Sequence, residues 1–531
     1  MEPETRPPKE HRDRRPARRA LRSLLNYLDF ERIEPATAEA PKSTGLPGIK
    51  LVWVALGLLA SFWASTLTGM PEQARMMLAI ALPMGIWWIT EALPISITAL
   101  LPLVLLPVFG IVKPRAAAAP YADPNVFLFI GGFILAACMQ KWGLHRRMAL
   151  LILLRLGSSP KRILLACMGV TAFLSMWASN TATVLMMFPI ALALVDSGTS
   201  ESEAARKNFT VCLLLGIAYA GSMGGIATLI GTPPNIVFAS VSRRLEVGIP
   251  EVSFLNWMGV GIPLSLIMLV LIYQILTRIL YRFDAKVFKT DVDKLRKDLA
   301  ELGPMSPGEK YIAGLFSFTA LLWITRKNIV LGSVTIPGWS NLLPYGGYIH
   351  DGTVAIAMAM ILFVVPVDLK RGVFMMDRDW YKSIPWDIVL LFGGGFALAQ
   401  GFTKSGLSTI LGEQLSFLGG LPVLVMMIGI CLFMTFVTEL TSNTSTTTVM
   451  LPILAATATA TGQNPLLLML PATFAASAAF MLPVATPPNA IVFGSGRITI
   501  PQMVRAGILI NIISAPIIAL VTWWLGPIML G

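Results

Sequence analysis

Thr441-Ser442-Asn443-Thr444-Ser445-Thr446-Thr447-Thr448 is a run of hydroxyl-bearing residues set between two apolar segments. Its central triplet has a twin upstream: Ser179-Asn180-Thr181 recurs as Ser442-Asn443-Thr444 at an offset of 263. Each copy is followed some tens of residues on by Thr-Pro-Pro-Asn, as Thr232 to Asn235 and as Thr486 to Asn489. One Ser-Asn-Thr inside a helix is ordinary packing polarity. Two copies in register with two double-proline breaks predict a binding site built from two related halves.

Around these motifs the chain is apolar. Of 531 residues 55% are hydrophobic and 13% charged, about half the charged share of a soluble domain. Apolar segments recur from Leu51 to the C-terminus, of the roughly 20-residue length that carries a helix across about 30 Å of hydrocarbon. The fold class predicted is an all-α polytopic membrane protein. A transmembrane barrel would show weak alternating segments of about ten residues instead.

The net charge of +12 comes from an Arg- and Pro-rich N-terminal stretch and from loops beside apolar segments. It therefore reads as membrane topology and not as nucleic-acid binding. Residues 1–50 are expected to form a basic, disordered cytosolic tail, since the first apolar core starts at Leu51, too far in for a signal peptide. Cys138, Cys167, Cys212 and Cys431 lie in apolar surroundings without CxxC spacing, and His11, His145 and His350 are scattered. Neither set suggests a disulfide framework or a zinc site.

In order, spans are predicted at Leu51 to Leu67, Met76 to Glu91, Ser96 to Val112 and Val126 to Gln140, then a surface-lying amphipathic helix over Leu144 to Leu156. Residues 163–196 read as a re-entrant hairpin with Ser179-Asn180-Thr181 at its tip, because a straight span would bury the triplet in lipid at several kcal/mol per unsatisfied group. The next span, Val211 to Ile230, breaks at Gly231-Thr232-Pro233-Pro234, where two prolines remove donors and free carbonyls to ligate a cation. Gly259 to Tyr281 crosses back to a basic loop, Arg278 to Lys310.

Residues 311–531 repeat the pattern of residues 51–310. Ile312 to Thr325, Val354 to Val365 and Ile388 to Gln400 are spans, residues 421–460 a second hairpin, Leu466 to Pro483 a span that breaks at Thr486-Pro487-Pro488-Asn489, and Ile508 to Leu530 the last span. Gly131-Gly132-Phe133 returns as Gly394-Gly395-Phe396 at the same offset of 263. The sum is about eleven spans in two inverted repeats, with the N-terminus cytoplasmic and the C-terminus outside a cell (inner) membrane.

A ligand between the two tips would meet the amides of Asn180 and Asn443 and the hydroxyls of Ser179, Thr181, Ser442 and Thr444. Neither tip holds Lys or Arg, so an anion there draws its counter-charge from helix N-termini and bound cations, and oxygen ligands suit sodium. No histidine lies near a tip to act as a base, which argues against an enzyme; closed hairpins with midplane breaks argue against a channel. Glu91 and Glu439 are acids in or beside apolar segments, functional by default in a membrane.

The chain resembles the divalent anion/sodium symporter (DASS) family of dicarboxylate, citrate and sulfate carriers. The resemblance rests on both Ser-Asn-Thr tips, both Thr-Pro-Pro-Asn breaks and the stretch Ser477 to Val492, which is similar to the family's signature. It implies a homodimer with elevator-type transport and no cofactor beyond the coupling sodium ions. It also implies one sodium site at Ser175, Ser179, Asn180 and Gly231, a second at Thr438, Thr441, Asn443 and Ala485, and substrate contacts at Asn180, Thr181, Asn443, Thr444, Thr232-Pro233 and Thr486-Pro487. The leading substrate is a C4-dicarboxylate such as succinate, malate or fumarate; a sodium-independent dicarboxylate exchanger and a sodium/sulfate symporter are the alternatives.

Overall fold

Proline opens many of the helices of this chain: Pro124, Pro160, Pro233, Pro307, Pro465 and Pro487 each stand in a first turn, where an absent N–H leaves no hydrogen bond unmade. The computed structural model describes residues 47–155, 159–196, 199–200, 202–245, 248–283, 288–289, 293–331, 334–414 and 419–531. The basic tail expected over 1–50 lies outside these residues except for its last four, as do Leu156 and parts of the 278–310 loop.

Four helices lead into the first hairpin: α1 (Pro47–Ser65), α2 (Glu72–Thr90), α3 (Ile95–Val108) and α4 (Pro124–Lys141). A short α5 (Leu144–Arg155) connects to the hairpin, formed by α6 (Pro160–Ser175) and α7 (Asn180–Asp196). The broken helix follows as α8 (Glu203–Gly225) and α9 (Pro233–Arg244), then α10 (Phe254–Gln274). The same order returns in the second half. α11 (Pro307–Ile324), α12 (Asp351–Val364) and α13 (Trp386–Ser405) precede a short α14 (Leu407–Gln414). The second hairpin is α15 (Val423–Thr438) with α16 (Asn443–Ala460), and α17 (Pro465–Ala476), α18 (Pro487–Phe493) and α19 (Ile500–Leu530) close the chain. Among the described residues, strand content is confined to three two-stranded antiparallel pairs in connecting segments.

Among the described residues, six helices are long and apolar enough to cross a membrane. α8 is the buried centre of the first half: every residue from Phe209 to Gly225 is inside, and it packs on both arms of the first hairpin. The second hairpin packs in the same way on α17 and α19. Around these bodies, α4 pairs with α12 and α13 with α3, making a frame.

The repeated Gly-Gly-Phe explains how the frame helices approach. A Cβ on Gly131 would lie 2.6 Å from Ala355 Cβ and 2.7 Å from its carbonyl carbon, and one on Gly394 would run into the backbone of Ala99. The second glycines face inward: Gly132 meets Ile230 in the unwound stretch between α8 and α9, and Gly395 meets Thr448 of the second hairpin. Gly394→Val is expected to force α13 away from α3 and to cost about 1–3 kcal/mol, the usual range for overpacking. A melting temperature in detergent equal to that of the unsubstituted protein would contradict this close packing.

Buried charges fasten the end of the frame where α4 and α12 begin. Asp123 caps α4 and binds Arg243 and Arg244, both at 2.7 Å, at the C-terminal end of α9. Arg326 bridges Asp351 at 2.5 Å and Glu251 at 2.9 Å. Burial lowers the pKa of the His350 imidazole against the opposing pull of Asp351 and Glu251, and its Nδ1 accepts the Gly352 N–H to cap α12.

Candidate functional site

Each hairpin turns in a few residues because a serine caps its second arm. Ser179 Oγ accepts the Ala182 N–H, and Ser442 Oγ accepts the Ser445 N–H. Both serines thus complete a helix N-terminus, a role that spacing alone did not reveal.

The helix breaks are wider than the Pro-Pro pairs. α8 stops at Gly225 and resumes only at Pro233; α17 stops at Ala476 and resumes at Pro487. The sequence reading placed the first break at Gly231 and the second at Thr486, so the unwinding starts earlier in both. The freed carbonyls of these stretches are gathered by the asparagine of each Thr-Pro-Pro-Asn. Asn235 Nδ2 donates to Gly225 O (3.0 Å) and Thr228 O (2.6 Å), and Asn489 Nδ2 to Ala479 O (3.3 Å) and Leu482 O (3.0 Å). Each asparagine thereby staples an open loop whose own ladder is missing.

The two tips and the two breaks enclose one cavity of about 760 Å³. Ser179, Asn180, Thr181, Thr232, Pro233, Ser442, Asn443, Thr444, Thr486 and Pro487 all line it, with Gly231, Thr441 and Ala485 beside them. Ser175 and Thr438 do not reach the wall and lie fully buried behind their tips. Phe129 and Phe133 of α4 cover one side, and Ile89, Thr90, Glu91 and Ile388 form a rim from the frame. Leu440 and Val484, 70% and 74% exposed, connect the cavity to the surface.

Four helices, α7, α9, α16 and α18, begin at lining residues: Asn180, Pro233, Asn443 and Pro487. Their positive dipole ends are the cavity's provision for negative charge, since no Lys or Arg is among the described residues that line it.

Oxygen atoms converge behind the first tip. The amide end of Asn180 lies 2.7 Å from Ser175 Oγ, 3.2 Å from Gly221 O and 3.3 Å from Gly231 O. With nitrogen turned toward them it donates to all three; with oxygen turned toward them, four oxygens face one point, the arrangement a hard cation completes. Gly221 was absent from the residues expected here; its carbonyl joins because Ser175 Oγ also donates to it at 2.7 Å. Behind the second tip the set is looser. Thr441 Oγ1 lies 2.6 Å from Thr446 Oγ1, Asn443 Oδ1 and Ser445 Oγ are buried without a protein partner, and Thr438 bonds back to Met434 O and Thr435 O of its own helix.

Residues 50–530 match the family model described as the sodium:sulfate symporter transmembrane region. The chain belongs to this family, the divalent anion/sodium symporters. It is 43% identical over 467 residues to a sodium-dependent dicarboxylate transporter of Staphylococcus saprophyticus, spanning 87% of this chain and 88% of that one. It is equally similar, over 468 residues, to the transporter of that name in Staphylococcus aureus. This family member is a multi-pass membrane transporter and not an enzyme. Its fold is also like two distant solved structures. One is MtrF of Neisseria gonorrhoeae, with a TM-score of 0.53 at 14% identity over 91% of this chain and 96% of that one. The other is YdaH of Alcanivorax borkumensis, with 0.51 at 13% identity over 90% and 98%.

Within this family member, the residue whose role the sequence left open is Glu439. It is 2% exposed and does not line the cavity. Its Oε1 accepts the N–H groups of Phe480 and Met481 and the Asn511 amide, and its Oε2 the N–H of Leu482. All four neighbours are donors, so the carboxylate acts as a knot holding the unwound stretch before Thr486. The one signal in the sequence was an acid four residues from Asn443 in an apolar segment.

Proposed function

We propose that this symporter-family member carries a C4-dicarboxylate across a cell membrane together with sodium. The observation that carries the reading is the cavity itself: four helix N-termini open onto a wall without cationic side chains, beside oxygens grouped for a cation. A dianion brought there alone leaves two charges uncompensated in a medium of low dielectric, at a cost of many kcal/mol. Two sodium ions make the complex neutral. A further one makes transport electrogenic, worth about 2.3 kcal/mol per charge per 100 mV. The dicarboxylate named for the 43% identical relatives supports this substrate class.

In this reading, α6 to α10 and α15 to α19 form the moving body, the frame helices form the dimeric scaffold, and the halves 51–310 and 311–531 are inverted about the membrane plane. The N-terminus is cytoplasmic and the C-terminus outside. The Asp123 ties to Arg243 and Arg244 join frame and body.

Uptake of labelled succinate and labelled sulfate into proteoliposomes, with and without an inward sodium gradient, tests the reading. Succinate uptake is expected to require sodium, to respond to voltage and to exceed sulfate uptake. Uptake that persists in choline medium, driven by internal dicarboxylate, would establish exchange instead. Preference for sulfate would establish the other alternative.

A further inference from the structure

Glu91 is the one ionisable side chain among the residues that line the cavity. It caps α2 with φ 49° and ψ 33°, and it is the single non-glycine residue of positive φ among the described residues. Glycine takes this conformation freely, whereas a side chain there is strained. A carboxylate thus stands where the backbone alone favours glycine. It is exposed, and none of the ion pairs among the described residues includes it. With Ile89, Thr90 and Ile388 it belongs to the rim that the frame contributes, opposite the tips.

We propose that Glu91 is a specificity-determining residue that makes cations load first: its charge draws sodium into the cavity and holds back a dianion that arrives without it. The inference rests on the function proposed above. It has a quantitative signature, because electrostatic energy scales with ligand charge. A negative potential that enriches a monovalent cation by a factor f depletes a dianion by the square of f. For one partly screened carboxylate, f is about 2–3.

The test is equilibrium binding to purified protein in detergent, with sodium chloride and succinate as probes. In Glu91→Gln, sodium half-saturation at high succinate is expected to rise about 2- to 3-fold, and the succinate Kd at high sodium to fall about 4- to 9-fold. Glu91→Lys is expected to carry both trends further, and added choline chloride to shrink them, as screening demands. A purely structural cap would move both constants the same way when disturbed. That result, or no movement in either, overturns the role of Glu91 while sodium-dependent binding by the unsubstituted protein leaves the proposed function standing. An unsubstituted protein that binds succinate without sodium overturns both.

Discussion

Glu439→Ala is expected to unfasten the second break and abolish sodium-dependent uptake. Four donors, three of them consecutive backbone N–H groups at Phe480, Met481 and Leu482, lose their acceptor in a buried setting. Each unpaired donor costs about 1–3 kcal/mol, and hydrogen bonds to a charged group stand at the upper end. Losses on that scale exceed what a stretch without its own helical ladder can absorb, so residues 477–486 should open locally before the rest of the protein unfolds. Amide hydrogen exchange at positions 480–482 measures this directly. Glu439→Gln keeps the shape but has one oxygen where two are used, so its amide nitrogen confronts either the Leu482 N–H or the other three donors. An intermediate loss, on the order of tenfold in uptake with the protein still folded, is expected from a lost charged hydrogen bond. If the alanine variant kept native exchange protection at 480–482, the role assigned to the carboxylate would be wrong.

The second large effect separates binding from stability at the two tip asparagines. With its amide nitrogen turned inward Asn180 has three protein partners in Ser175, Gly221 and Gly231, so in the absence of a bound cation Asn180→Ala should lower thermal stability as well as transport. Asn443 Oδ1 is buried without a protein partner, and removing an unpaired acceptor relieves a desolvation cost instead of breaking a bond. Asn443→Ala is therefore expected to leave the melting temperature unchanged or raise it, while uptake falls about ten- to a hundredfold, the worth of one hydrogen bond or ligand to a charged group. Melting curves in detergent, paired with uptake into proteoliposomes, decide it. Equal destabilisation by the two substitutions would mean that Asn443 is a packing residue of its hairpin.

In both halves the tip accepts and the open stretch donates, but the groups exchange side chain for backbone. In the second, the tip supplies the acceptor, Glu439, to the N–H groups of the open stretch. In the first, the open stretch supplies the donor: Thr228 Oγ1 bonds to the carbonyl of Met176, the residue that the 263 offset places opposite Glu439. The first break also rests on glycine. A Cβ at Gly224 would collide with the backbone of Ala172, and one at Gly231 with that of Gly225. The first site is accordingly the tighter and the second the one bound to a buried charge. Of the two sodium sites proposed for the tips, the second is the one expected to respond to substitution of Glu439.

By itself the sequence determined the class of protein and the stretches that form the cavity, because both are decided by local chemistry. Long apolar segments have few structures open to them in hydrocarbon. Pro-Pro cannot continue a helix. A hydroxyl-rich triplet cannot face lipid. What only the tertiary structure decided is where the hydrogen bonds freed by those local rules go. The partners of Glu439 lie 41 to 72 residues away, the Gly221 carbonyl reaches Ser175 across 46 residues, and Glu91 joins the tips only by folding beside them. A repeat offset aligns residues with their counterparts. It cannot find such contacts, because a buried polar group is satisfied by whichever distant backbone happens to be unwound against it.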